Sequence, residues 1–220
     1  MEWKSDDQLF SWMKAELFSA VIGDVMDKQG MLHQFLPPYL RPLRDDMVVA
    51  GRAVTVLEAD VFEEPDEPFG LMLEALDSLG KNDVYICTGS SVRYALWGEL
   101  MSTRAMLLGG AGAVVDGYSR DTNGILRLGF PVFSKGRYAQ DQGPRGKVIA
   151  YSVPIEIGGV RIMPGDIIFG DLDGILVIPR GREADIVGAA FEKVRGEKKV
   201  AEAIREGMTT VEAFRRFGIM

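Results

Sequence analysis

Three residues combine chemistry with spacing: Glu99, twenty intervening residues, then the adjacent pair Arg120-Asp121. Gly98 stands just before a helical stretch, so the backbone N–H groups of Glu99, Leu100 and Met101 lie free at its first turn. Free N–H groups at a helix start bind anions, carboxylates included. A strand ends at Asp116, and the run Gly117-Tyr118-Ser119-Arg120-Asp121 follows it. Ligands of open α/β sheets bind beyond the C-terminal ends of strands. An anion pocket, a bidentate cation and a carboxylate metal ligand can converge in such a place. The alternative for a bare Arg-Asp dipeptide is an ion pair on a surface loop.

Composition narrows the chemistry further. The 220 residues contain one Cys and one His. An internal disulfide is impossible. No zinc site built from four cysteines, from cysteine and histidine pairs, from three histidines or from HExxH can be assembled. A Cys–His or Ser–His couple would have to use Cys87 or His33. The formal charge of −7, from 25 Lys and Arg against 32 Asp and Glu, opposes a general nucleic-acid binder. Catalysis, if present, rests on carboxylates, Arg, Lys and a hard metal ion. The N-terminal run lacks the basic and apolar regions of a signal peptide, and no stretch reaches the length of a membrane span. A cytoplasmic setting is the expectation.

The elements that must position these residues read as one compact α/β domain over residues 1–220. An N-terminal helix is expected over 6–29, with Ser5 and Gln8 as a capping-box pattern and apolar residues at helical spacing. Strands are read over 50–57, 83–87, 113–116, 131–134, 147–157, 160–163, 167–169 and 175–178. Residues 58–67, rich in carboxylates and holding Pro65, read as a loop; residues 71–79 and 95–108 read as helices. Gly158-Gly159 is a two-residue hairpin signal. A C-terminal helical segment is expected over 183–217, interrupted at Gly207 and restarted at Thr209, with Glu212 completing a second capping box. The pattern predicts a mixed rather than purely parallel sheet.

The run GELM…GGAGAVVDGYSRD resembles the RraA-like family. This family contains class II aldolases for 4-hydroxy-4-methyl-2-oxoglutarate and 4-carboxy-4-hydroxy-2-oxoadipate, and also regulators of ribonuclease E activity. The aldolases carry Asp, twenty residues, then Arg-Asp; Glu99 stands in the first slot here. The resemblance extends to GRAVTV at 51–56, PVFSKG at 131–136, VPIEIGGVRIMPGDIIFGDLDGILVIP at 153–179 and the terminal EKKVAEAIREG. It implies a swivelling β/β/α fold and a homotrimer or homohexamer with sites between subunits. It implies Mg²⁺ or Mn²⁺, with Asp121 as the direct ligand. It also implies that Arg120 contacts the pyruvate half and that the turn from Gly98 to Met101 binds the pyruvate carboxylate. Glu197 matches an acid that reaches a neighbouring subunit's metal through water.

Retro-aldol cleavage of a 4-hydroxy-2-oxo acid leaves pyruvate enolate, which a hard cation stabilises and Arg120 assists. The same chemistry allows oxaloacetate decarboxylation. Such a site needs neither Cys nor His. Glu99 keeps the acid and the backbone donor but lengthens the side chain by one methylene; regulator-type members lack the acid, which favours the enzyme. The rival expectation is a non-catalytic, protein-binding regulator of a ribonuclease E-type enzyme. Either way, neither nucleic acid nor membrane is an expected partner.

The remaining candidates have plainer readings. His33 is a surface or packing residue and Cys87 a buried small hydrophobe. The acidic residues Glu58, Asp60, Glu63, Glu64, Asp66 and Glu67 form a solvated loop. Asp24 sits in a family-typical place, with a structural role open to it. Asp116 organises the Arg120 loop or contacts a metal-bound water. Asp171, Asp173 and Gly174 form a turn between strands, because the EF-hand spacing is incomplete. The run from Gly109 to Gly112 leads into a strand, which rules it out as a dinucleotide fingerprint.

Overall fold

The computed structural model describes residues 2–63, 66–91 and 93–219. The chain opens with helices α1 (Asp6–Glu16) and α2 (Ser19–Lys28), then strands β1 (Arg41–Pro42), β2 (Val49–Asp60) and β3 (Phe69–Gly70). Next come α3 (Met72–Asp77), β4 (Asp83–Thr88), β5 (Ala95–Trp97), α4 (Glu99–Leu107), β6 (Gly112–Ser119) and α5 (Thr122–Leu128). Strands β7 (Val132–Arg137), β8 (Gly146–Tyr151), β9 (Ile155–Ile157), β10 (Val160–Ile162), β11 (Ile167–Gly170) and β12 (Ile175–Ile178) follow. Helices α6 (Glu183–Arg205) and α7 (Thr210–Phe217) close the chain.

The main sheet runs β1-β7-β6-β4-β2-β11-β12. Strands β2, β4, β6 and β7 are parallel, whereas β11 and β12 join antiparallel. The sheet is therefore mixed, as the sequence predicts. One edge of β2 is shared: its first residues pair with β11 and its last with β8, across a register shift at Leu57/Glu58. A larger core joins the central strands to α3, α4, α5 and the β9–β10 hairpin. A second core packs α1, α2 and α6 on β11, β12 and Ala50 of β2. Each core answers an apolar helix stripe with a sheet face, the burial that drives layered α/β packing.

Several boundaries differ from the sequence reading. The helix expected over 6–29 is two helices, because Leu17 and Phe18 are extended between them. The break is set at long range: Asp171 accepts hydrogen bonds from Ser19 N (2.7 Å) and Ser19 Oγ (2.6 Å), satisfying donors at the start of α2. Residues 95–97, expected in a helix, form a short strand beside β6. The strand ending at Asp116 continues to Ser119. The strand read over 147–157 is interrupted at Ser152, whose φ is 53°. Strand β2 runs on to Asp60, which takes Glu58 out of the expected loop and into the interior. Of that loop, Glu64 and Pro65 lie outside the described residues. The Gly158-Gly159 hairpin forms as expected, with φ of 58° and 84°.

Candidate functional site

Strand β5 pairs in parallel with β6 so that Trp97 stands opposite Ser119. The next residues on the two strands, Gly98 and Arg120, are thereby brought together at the strand ends, and Arg120 N donates to Trp97 O at 2.9 Å. Helix α4 starts immediately. Trp97 Nε1 donates to Ser102 Oγ at 2.7 Å, and Ser102 Oγ reaches Gly98 O at 3.1 Å. Trp97 is itself fixed by the rings of Tyr85 (centroids 5.0 Å) and Phe130 (6.1 Å). The first turn of α4 is thus pinned from below, and its N–H groups face outward with partial positive charge.

Asp121 meets that turn. It has left-handed backbone, φ 56° and ψ 33°, as the N-cap of α5. Its Oδ2 lies 3.4 Å from Glu99 N and 3.8 Å from Arg120 Nε. A Cβ at Gly98 would stand 2.8 Å from the same oxygen. A side chain at this position would have to push that carboxylate aside, so glycine suits the close approach. Non-glycine residues in this backbone region concentrate where the surrounding structure enforces them, active sites among them. Arg120 Nη1 pairs with Asp141 Oδ1 at 2.7 Å, so both of its neighbours are acids.

These groups form the polar end of a cleft of about 450 Å³. Gly98, Arg120, Asp121, Asp141 and Gln142 line that end; Phe69, Met72, Leu73 and Leu76 also line the cleft, as do Asp77 and Arg104, paired at 2.7 Å. Leu100 and Met101 line it as well. A concave, mainly apolar site with a few convergent polar groups is the usual form of a small-molecule pocket.

The other predicted residues stand as follows. The Glu99 carboxylate does not line the cleft; it lies over Gly124 of α5, 3.8 Å from Arg127 Nη2. What Glu99 gives the cleft is its backbone N–H. Asp116 bonds Thr88 Oγ1 (2.8 Å), Tyr39 Oη (3.1 Å) and Lys135 Nζ (3.0 Å), and none of these partners lines the cleft. Glu197 pairs with Lys193 on α6, and Lys193 also reaches Asp24 Oδ2 at 2.8 Å. That cluster belongs to the helical layer packed on β11 and β12, apart from Asp121. His33 is exposed and Cys87 buried. Asp171 accepts from Asp173 N and Gly174 N, which makes its segment a turn.

Sequence reasoning missed Asp141, Gln142 and Glu58. Gln142 is 3% exposed and donates through Nε2 to Glu58 Oε2 at 2.8 Å. Burial pushes the Glu58 carboxyl up to about 8, opposed by that hydrogen bond. The alternation that buries Val56 also buries Glu58, two residues on, and this was the available signal. Asp141 and Gln142 sit in a loop with no motif of their own.

Residues 19–177 match the RraA-like family model, described as Aldolase/RraA. Protein DlpA of Legionella pneumophila is 31% identical over 196 residues, 89% of this chain, and the chain spans 31% of its length. A Halalkalibacterium halodurans protein with the provisional name 4-hydroxy-4-methyl-2-oxoglutarate aldolase is 33% identical over 195 residues, covering 88% of this chain and 87% of that one. The solved structure of Streptomyces coelicolor RraAS2 is described as an unusual member of the RNase ES inhibitor RraA protein family. It superposes with a TM-score of 0.81 at 26% identity, covering 91% of this chain and 100% of that one. The family model spans most of the sheet and both strands that carry the cleft, and on that match the chain belongs to the RraA-like family.

Proposed function

We propose that this chain is a divalent-metal-dependent class II pyruvate aldolase. It cleaves a 4-hydroxy-2-oxo acid of the 4-hydroxy-4-methyl-2-oxoglutarate type to pyruvate and a second oxo acid, and decarboxylates oxaloacetate as a side reaction. One observation carries this reading: the Asp121 carboxylate, the Arg120 guanidinium and the first-turn N–H of α4 converge on Gly98 at the polar end of the cleft. The provisional name of the Halalkalibacterium halodurans relative agrees with it.

The donor set suits Mg²⁺ or Mn²⁺. Among the described residues no group of three or more His, Cys, Asp or Glu gathers as a metal cage. A hard cation that keeps several waters needs only one or two protein carboxylates, and Asp121 would supply one. When bound, such an ion draws charge from the carboxylate and keto oxygens of a 2-oxo acid and so favours the enolate. The chain's own groups do the rest. The N–H groups of Glu99, Leu100 and Met101 receive the C1 carboxylate. Arg120, released from Asp141, neutralises the keto oxygen as it gains charge. Asp141 then stands free to take the 4-hydroxyl proton as the C3–C4 bond breaks. Glu197 stays outside this cleft in its own chain, so any part it plays is toward a second copy in a homotrimer or homohexamer.

Pyruvate release from 4-hydroxy-4-methyl-2-oxoglutarate, followed by a coupled assay with Mg²⁺, Mn²⁺ or a chelator, tests the proposal. Activity should need the metal and fall at least about 100-fold in Asp121→Asn. Undiminished turnover in that variant would overturn the assignment. The likeness to RraAS2 favours a second reading, a protein-binding regulator of a ribonuclease E-type enzyme. It predicts inhibition of that partner, independent of metal and unaltered by Asp121→Asn.

A further inference from the structure

Glu58 is a carboxyl group 2% exposed, on β2, behind the cleft. Among the described residues its Oε1 has no hydrogen-bond partner, and its Oε2 has one, Gln142 Nε2 at 2.8 Å. Tyr85 Oη, also buried, lacks a partner among them too. Buried polar groups are nearly always paired, and an exception calls for a reason. An apolar residue in this place would avoid the desolvation cost altogether. The group that Glu58 does hold, Gln142, is a residue of the cleft lining.

We infer that Glu58 is a positioning residue for the cleft: through its hydrogen bond it sets which edge of the Gln142 amide meets bound substrate. The inference rests on reading the cleft as the pyruvate-forming site. An ionised carboxylate only accepts hydrogen bonds, so it holds the Gln142 NH2 inward and leaves the amide oxygen for the cleft. A protonated carboxyl gains an O–H that can donate to that oxygen, and in that arrangement the NH2 turns outward. One buried proton therefore converts a point on the cleft wall from acceptor to donor. A donor there would stabilise the carbonyl oxygen forming at C4; an acceptor would orient the 4-hydroxyl before cleavage.

The groups that sense Glu58 are Tyr85 and Cys87 on β4 and Tyr94 beside β5, all raised in part by its charge. Asp116 acts on Cys87 from β6, and Asp60 holds Tyr94. Each of these neighbours is neutral or acidic, so burial dominates and carries the Glu58 carboxyl up to about 8. The bond from Gln142 Nε2 to Glu58 Oε2 is the acceptor-presenting arrangement, and burial favours the neutral carboxyl that reverses it.

Two measurements test this. The first is difference infrared spectroscopy of the full chain against Glu58→Gln, from about pH 6 to 10. It should show a neutral carboxyl band lost near pH 8, with a higher midpoint in Gln142→Leu, where the amide N–H no longer favours the charged form. A midpoint unmoved by Gln142→Leu, or no such band, overturns the coupling. The second is the kinetics of pyruvate release. Glu58→Leu should lower kcat/KM about tenfold, whereas Glu58→Gln, which keeps a neutral donor, should hold the neutral-pH value and flatten the alkaline limb of the profile; neither should change anything in the Gln142→Leu background. Equal losses in both backgrounds would make Glu58 a fold residue only. Should the unaltered chain release no pyruvate, the aldolase reading fails, and the infrared midpoints still decide whether Glu58 and Gln142 act as a pair.

Discussion

A methyl group at position 98 would stand 2.8 Å from Asp121 Oδ2 and 3.6 Å from Arg120 Cγ. Gly98→Ala must therefore displace the carboxylate, the guanidinium or the first turn of α4. Misplacement of about 1 Å in a site costs about 100-fold in rate, and that loss of kcat/KM is the expectation here, with little change in the unfolding midpoint. Glu99 shows how the longer acid is accommodated: its carboxylate lies over Gly124, where a Cβ would collide with it. The side chain is turned to α5, and the backbone donor at the cleft is unaffected. Glu58 leaves a mark on stability as well. Its folded-state value of about 8 lies above the ordinary 4.5 of a free Glu. Between those values the folded chain binds more protons than the unfolded one, so stability is full below the lower value and declines as pH rises through the upper. Chemical denaturation at a series of pH values should show that decline, and Glu58→Gln should flatten it.

At the scale of elements, α2 depends on a residue 152 positions away. Asp171 accepts from Ser19 N, Ser19 Oγ, Asp173 N and Gly174 N, joining the start of α2 to the β11–β12 turn. Asp171→Ala should cost about 2 kcal/mol in urea unfolding, the size of a lost cap with additional bonds. The same contact shows what sequence can and cannot reveal. Local signals read correctly: Ser5 caps Gln8 N at 3.3 Å, Thr209 and Glu212 form a reciprocal box, and Gly158-Gly159 turns a hairpin. Each rests on residues within four positions of one another. The break at Leu17 and Phe18 rests on a distant acid, and the three-residue β5 is too short for periodicity to separate from the helix behind it. The cleft divides in the same way. Gly98, Arg120 and Asp121 were legible because strand ends and helix starts have their own grammar. Asp141, Gln142 and the α3 wall come from pairings between loops that no spacing encodes.

Across the whole molecule, Arg52 of β2 ties the two ends of the chain together. It pairs with Asp6 of α1 at 2.9 Å and with Glu183 of α6, close to where the helical layer meets the sheet. Elsewhere the surface leaves apolar residues uncovered: Leu107 of α4 is 77% exposed, and Leu73 of α3 57%. Single exposed apolar residues are ordinary on a surface, so it is the assembly proposed above that would give these two a role. In light scattering the chain should show a multiple of 24.2 kDa, and Leu107→Lys should reduce it; a monomer in both would leave the surface without that role. The cleft is also unequal in its construction. Its polar end is fixed by β5, β6 and two helix starts, whereas α3, six residues long and preceded by left-handed backbone at Phe69 and Gly70, buries Met72, Ala75 and Leu76 in the larger core and leaves Leu73 exposed along the cleft. That makes Leu73 the adjustable point of the wall: exchanging it would shift the substrate range of the aldolase proposed above while leaving the proposed reaction in place.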